Sequence, residues 1–353
     1  MAPNADPGPI RARDLAAHQH PILHRSLLQI ATSVVPYVGL WVAMVWSLGI
    51  SYWLTLALAV PAAGFAVRTF IVFHDCGHGS FFRSRRANEI VGFVCGVLTL
   101  TPSHDWWYSH ARHHATSGNL DRRGIGDVWT LTVDEYRARS WAGRLFYRIV
   151  RFPPFMLLVG PIVMFVVLNR FPSRGARARE VRNVIATNLT LAALVGGLIW
   201  LIGWQAYLMI HLPVILLSGG AGIWLFYVQH QFEDVYWERQ EGWDAASAAI
   251  QGSSYFKLPR ILQWFSGNIG FHHVHHLSAR VPNYALEACH ESHAALRRAP
   301  TLTLRTSLSC FGLQLWDERR QKLVSFGEAR RSRAVEPSSE TSGGRASGMA
   351  TTS

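Results

Sequence analysis

Two long runs of this chain contain no Lys, Arg, Asp or Glu: Ser26 to Val67 and Asn183 to Gln229. A helix needs about 20 apolar residues to cross the hydrocarbon layer of a bilayer. Each run therefore holds two crossings joined by a tight, uncharged turn, at "SLGISYW" in the first and "IGWQ" in the second. A helix in a soluble core would be shorter or amphipathic. The composition agrees, with 49% hydrophobic residues, 16% charged and 14 Trp. The pattern predicts an all-α integral membrane protein with four transmembrane helices in two hairpins, at about 27–48, 51–73, 184–203 and 205–228.

Arginine sets the orientation. Arg11, Arg13 and Arg25 precede the first hairpin, and Arg83, Arg85 and Arg86 follow it. By the positive-inside rule both ends are cytoplasmic and the turn is outside. The net charge of +12 reflects this clustering beside apolar segments and does not call for nucleic acid. Two further apolar stretches are harder to place. Residues 90–101 are too short to cross and read as interfacial or re-entrant. Residues 152–169 are nearly long enough but have basic clusters on both flanks and contain Pro153, Pro154 and Pro161. A re-entrant or surface-lying segment suits them better than a straight span. The resulting division is a polar cytoplasmic arm at 1–25, a membrane domain at 26–327 and a disordered, Ser-, Gly- and Arg-rich tail at 328–353. No cleavable signal peptide is expected at the N-terminus. Cys76, Cys95, Cys289 and Cys310 form no CxxC pair, which argues against a disulfide scaffold.

Three stretches concentrate histidine: "HDCGH" at 74–78, "HARHH" at 110–114 and "HHVHH" at 272–276. His74 and His78 are four apart and share one helical face. His110, His113 and His114 follow i, i+3, i+4, and His272, His275 and His276 repeat that spacing. His273 falls outside it and should point away. A single HxxxH is weak evidence for metal binding; three such boxes, each beside a membrane segment, are strong. Eight imidazoles are too many for one tetrahedral zinc. They suit two metals of higher coordination number, and imidazole accepts Zn, Cu, Fe or Ni. Spacing alone leaves the metal open.

The boxes and their order resemble those of the membrane fatty acid desaturases. The stretches "FYVQHQFEDVYWE" (226–238), "SSYFKLPRILQWFSGNIGFHHVHHL" (253–277) and "PNYALEACH" (282–290) resemble bacterial acyl-lipid desaturases of the delta-12 or omega-6 type, and the similarity runs over roughly 25–320. That resemblance implies a cytoplasmic helical cap with a di-iron centre bound by His74, His78, His110, His113, His114, His272, His275 and His276. It also implies a ninth histidine near the end of the last crossing, where His230 stands. In animal acyl-CoA desaturases an asparagine one helical turn before that histidine helps hold a metal-bound water. Here the position is Phe226. Asn268, four residues before His272, is a candidate substitute; a turn-forming role is the alternative.

Other polar residues lie close to the boxes in sequence. Asp75, Asp105 and Asp127 are placed to orient ligating imidazoles, and His104 is a second candidate for that outer layer. His290 and His293 read as residues of a solvated helix, and His211 as packing inside a crossing. Trp106, Trp107, Trp264 and Phe265 fit either an acyl channel or an interfacial aromatic belt.

The resemblance implies an oxidoreductase of the bacterial inner membrane that uses dioxygen to insert a cis double bond into membrane-lipid acyl chains, with its active site on the cytoplasmic side. Electrons would come from a separate ferredoxin or b-type cytochrome, because four scattered cysteines do not make an iron–sulfur site. A hydroxylase, epoxygenase or acetylenase on the same scaffold is the first alternative. A non-enzymatic metal-binding membrane protein or transporter is the second, disfavoured because transporters place ligands near the midplane.

Overall fold

The computed structural model describes residues 10–334. Four helices are long and apolar enough to cross a membrane. They pair as expected: α1 (Leu23–Ser47) with α2 (Tyr52–His78), and, later in the chain, Ala178–Ile202 with Trp204–His230. Side chains such as Leu28, Val35, Val42, Trp46 and Trp53 remain exposed on the first hairpin, as a lipid-facing surface requires. Its inner face is lined by Ala59, Ala62, Ala63 and Ala66, small residues that let helices approach closely. The hairpin turn is pinned by a 2.7 Å hydrogen bond between the Ser47 and Thr55 hydroxyls.

At 27 residues, α2 is about 40 Å long at 1.5 Å per residue, against about 30 Å of hydrocarbon. Its last turns therefore project beyond the apolar layer and carry the first histidine box with them. Gly79 ends it in the left-handed conformation, φ 65°. α3 (Arg85–Leu98) starts at a Ser84 cap and exposes Ile90 and Val94, consistent with an interfacial helix. α4 (Ser103–Thr116) carries the second box.

β1 (Leu131–Thr132), α5 (Val133–Ala138) and α6 (Trp141–Val150) lead into the ambiguous apolar stretch. There the chain bends by 66° between Trp141–Val150 and Phe155–Arg170. The second limb runs in wide, π-type turns against the last long helix. Two glycines make the approach possible: a Cβ on Gly219 would lie 2.6 Å from Pro161, and one on Gly220 2.7 Å from the Leu157 carbonyl. Both ends of the limb are tied to histidine-bearing elements. Arg151 donates to the Gln231 side chain (2.8 Å), next to His230, and the Ser173 amide donates to Asp105 on α4 (2.9 Å).

α7 (Ala178–Ile202) and α8 (Trp204–His230) meet at Gly203, φ 83°. The remaining chain forms the cap: α9 (Ala245–Gln251), β2 (Tyr255–Lys257), α10 (Arg260–Phe265), α11 (His272–Leu277), α12 (Leu286–Ser292), β3 (Thr301–Thr303), α13 (Leu304–Ser307), β4 (Leu315–Asp317), β5 (Lys322–Val324) and α14 (Phe326–Ala334). The cap is not wholly helical. β4 pairs parallel to β1 and antiparallel to β5, and β2 pairs parallel to β3.

Both chain ends depart from expectation. Described residues of the arm are docked rather than loose: a 3₁₀ turn at Ala12–His18 buries Leu15 completely against the core of the cap, and Gln19 donates to the Ser278 hydroxyl (3.0 Å). Residues 328–334 of the expected disordered tail belong to α14; the rest of that tail lies outside the described residues.

Candidate metal centre

Helix geometry delivers the imidazoles in two groups. His74 and His78 from the end of α2, His110 from α4 and His275 from α11 have ligand atoms all within 4.8 Å of one another. His113 from α4, His230 from the last residue of α8, and His272 and His276 from α11 form a second such group. His114 lies between them. Its Nε2 is 3.2 Å from that of His110, its ring is 4.6 Å from His275 centre to centre, and it stacks on His276 at 4.3 Å. The three boxes and His230 thus converge in one place, with the i, i+3, i+4 spacing dividing each HxxHH box between the two groups.

Tautomers are set from behind. Asp75 accepts a hydrogen bond from His74 Nδ1 (3.0 Å) and is itself held by the Asn283 amide N–H (2.7 Å) and side-chain amide (2.8 Å). Asp127 accepts from His113 Nδ1 (2.6 Å) and from the Gly124 N–H (3.0 Å). The Gly252 carbonyl accepts from His230 Nδ1 (3.1 Å). Each of these fixes a proton on Nδ1 and leaves the Nε2 lone pair facing inward, the arrangement seen behind ligating histidines.

The donor set fits metal ions. Nε2 of His74 lies 3.0 Å from that of His110 and 3.1 Å from that of His275; Nε2 of His230 lies 3.1 Å from that of His113 and 2.9 Å from that of His272. Nε2 atoms of His78 and His276 are buried with no hydrogen-bond partner. Burial first, and neighbouring imidazoles second, push His110, His114, His272, His275 and His276 well below the ordinary histidine range. Neutral rings with lone pairs aimed at one another repel unless cations sit between them.

The outer-layer candidates divide. Asp75 and Asp127 contact box histidines. Asp105 does not: it accepts from the Ser173 N–H and hydroxyl and anchors the bent limb. His104 packs on Trp107 (5.2 Å), with Arg179 3.5 Å from its ring, and touches no box histidine. Asn268 is a turn residue, φ 59°, whose side chain donates to the Asn283 carbonyl (3.3 Å). It does not stand in for the missing asparagine. Phe226 occupies that position, its ring 5.2 Å from His113 and 5.1 Å from His230.

Trp106 stacks on His110 at 4.4 Å, whereas Trp264 is partly exposed at the rim of α10. His273 points away, as its spacing predicts, but into the cap: its Nε2 lies 3.0 Å from Nδ1 of His290. That corrects His290, which is buried rather than solvated. In the sequence only the preceding Cys289, a residue type often found buried, hints at this. His211 stacks on Tyr207 at 5.0 Å, a packing role.

Fold and site together define a membrane protein with four helices long and apolar enough to span a bilayer and two buried histidine groups that could hold metal ions. The fatty acid desaturase family profile matches residues 51–306, and the chain belongs to that family, whose members are oxidoreductases. It is 51% identical to a fatty acid desaturase of Bacillus subtilis (strain 168) over 314 residues, 89% of each chain. It is 29% identical to an sn-1 oleoyl-lipid 12-desaturase of Synechocystis (69% of this chain, 70% of that one) and 28% identical to an sn-1 acyl-lipid omega-3 desaturase (ferredoxin) of the same organism (63% and 62%).

Proposed function

We propose that this protein introduces a cis double bond into acyl chains of membrane lipids at the delta-12 (omega-6) position, using dioxygen and a pair of irons. His74, His78, His110, His114 and His275 would hold one iron, and His113, His230, His272 and His276 the other. The observation that carries the reading is the convergence of eight imidazoles in two groups of four, with His114 between them, within a desaturase-family chain. A methylene C–H has no useful pKa, so side-chain acid–base chemistry does not break it; bound iron supplies the oxygen activation that does.

The chain's own residues position and exclude. Asp75, Asp127 and the Gly252 carbonyl hold three rings in the ligating tautomer. Trp106 over His110 and Phe226 between His113 and His230 present apolar surface beside the centre, suited to a hydrocarbon chain and unfavourable to water. Electrons come from a ferredoxin; the name of the omega-3 relative supports this, and a basic surface favours an acidic carrier. The bent limb does not cross, and the histidine side faces the cytoplasm of a bacterial inner membrane.

The test is the lipid profile of an expressing host by gas chromatography and mass spectrometry, beside a His113→Ala control. A new delta-12 double bond that the control lacks is expected. A hydroxy or epoxy acid overturns desaturation, and a double bond elsewhere overturns the regiochemistry. Metal analysis should give two irons per purified chain.

A further inference from the structure

Arg68 lies inside α2, on a helix that otherwise carries no charge between Tyr52 and Phe73. It is 9% exposed. Its Nη1 donates to the Trp264 carbonyl, and its guanidinium carbon sits 3.9 Å above the Trp264 ring. Among the described residues no carboxylate pairs with it. Nε is buried without a partner, and Nη2 makes no hydrogen bond. An arginine keeps its charge under all ordinary conditions, and a buried charge needs a counter-ion or full hydrogen bonding. A cation–π contact offsets only part of that need.

The geometry points to an external anion. Nε and Nη2 form one edge of the guanidinium, with two parallel N–H groups, and that edge grips phosphate or carboxylate in bidentate fashion. The protein occupies Nη1 and leaves this edge unused. Two other arginines near the membrane also bury Nε without a partner and differ from Arg68 in their Nη atoms. Arg151 uses both Nη atoms, on the Trp129 and Leu313 carbonyls and Gln231. Arg170 also uses both, on Asn188 and the Leu100 carbonyl. Neither has a complete fork to offer.

Depth identifies the anion. Arg68 is sixteen residues from Tyr52, so about 24 Å along α2, about 6 Å short of the inner edge of a 30 Å hydrocarbon layer. An arginine side chain spans that gap by snorkelling. α10 covers the spot and exposes Ile261, Leu262 and Trp264, as a helix lying in the interface does. Lys257 and Arg260, both exposed, flank its start and add positive charge. The oxyanion abundant just outside the hydrocarbon edge is the phosphate of a glycerophospholipid. We propose that Arg68 and α10 form a binding site for that phosphate, about 9 Å along α2 from His74.

Native mass spectrometry of detergent-purified protein tests this, with phosphatidylglycerol, diacylglycerol, oleate and inorganic phosphate as separate additions. Arg68→Gln should bind phosphatidylglycerol at least tenfold more weakly than the wild type, and diacylglycerol equally. Arg68→Lys keeps the charge without the fork and should lose severalfold; it decides the matter should the glutamine variant not fold. Arg170→Lys should match the wild type. Equal phosphatidylglycerol binding by the wild type and both Arg68 variants overturns the site. Equal competition by oleate or inorganic phosphate overturns the phospholipid assignment. Binding is read without turnover, so failure of the desaturation experiment would leave this result standing.

Discussion

Asp127 stands 14 residues after His113 and still reaches its Nδ1 at 2.6 Å. Two glycines with positive φ, Gly124 and Gly126, turn the intervening loop back onto α4. The HxxHH spacing reveals the ligating rings because helical period is local. It does not reveal which carboxylate will stand behind them, because that depends on how a loop folds. Asp75, Asp105 and Asp127 look alike in sequence; two reach histidines and one anchors the bent limb. Substituting Asp127→Ala should weaken metal binding about 10- to 100-fold, the usual cost of removing such a partner. Asp105→Asn should leave metal content unchanged. Metal analysis after dialysis against a graded chelator checks both.

At the scale of elements, the four long helices are legible directly, because few structures besides a transmembrane helix go without charge over a bilayer's width. Short elements are not. α14 escapes a reading of composition although Ser325 and Glu328 write a capping box: the Ser325 hydroxyl accepts from the Glu328 N–H (3.1 Å), and the Glu328 carboxylate accepts from the Ser325 N–H (2.8 Å). Low-complexity composition further along masks that signal. The bent limb depends on Gly219 and Gly220, and nothing in the sequence says which segment those glycines admit. Gly219→Leu would drive a side chain into Pro161. It should destabilise by roughly 1–3 kcal/mol, seen as a lower unfolding temperature with the metal bound. The loop over His113 is equally constrained: a Cβ at Gly126 would lie 2.6 Å from the Ser109 carbonyl and 3.1 Å from the His113 Cβ. Gly126→Ala should therefore lower both stability and metal retention, whereas Gly124→Ala should strain only the local backbone, since no neighbour lies within 4 Å there.

For the whole molecule, sidedness can be measured cleanly because all four native cysteines are buried. A membrane-impermeant thiol reagent should label Gln205→Cys from outside and Arg122→Cys only after the membrane is opened; the reverse would invert the topology. Acid should also find the molecule vulnerable once its metal is removed. Burial, with the charge of His290 second, holds His273 down to about 3, and burial holds His290 below its usual value. Their neutral forms are favoured in the folded chain, so the unfolded chain binds more protons at low pH. The stability involved is present above about pH 6.5 and is lost as pH falls towards about 3. The unfolding temperature of chelator-treated protein should drop between pH 7 and pH 5, with the buried box histidines adding to the effect of this pair; a flat profile would contradict the burial of them all.

Both imidazole groups draw on α11, at residues 272–276, although their other members come from α2, α4 and α8. A ribosome must therefore finish both hairpins and the cap as far as α11 before either group gains its last members. A chain that stops short of α11 carries neither histidine group complete, so both candidate sites close together and late in synthesis.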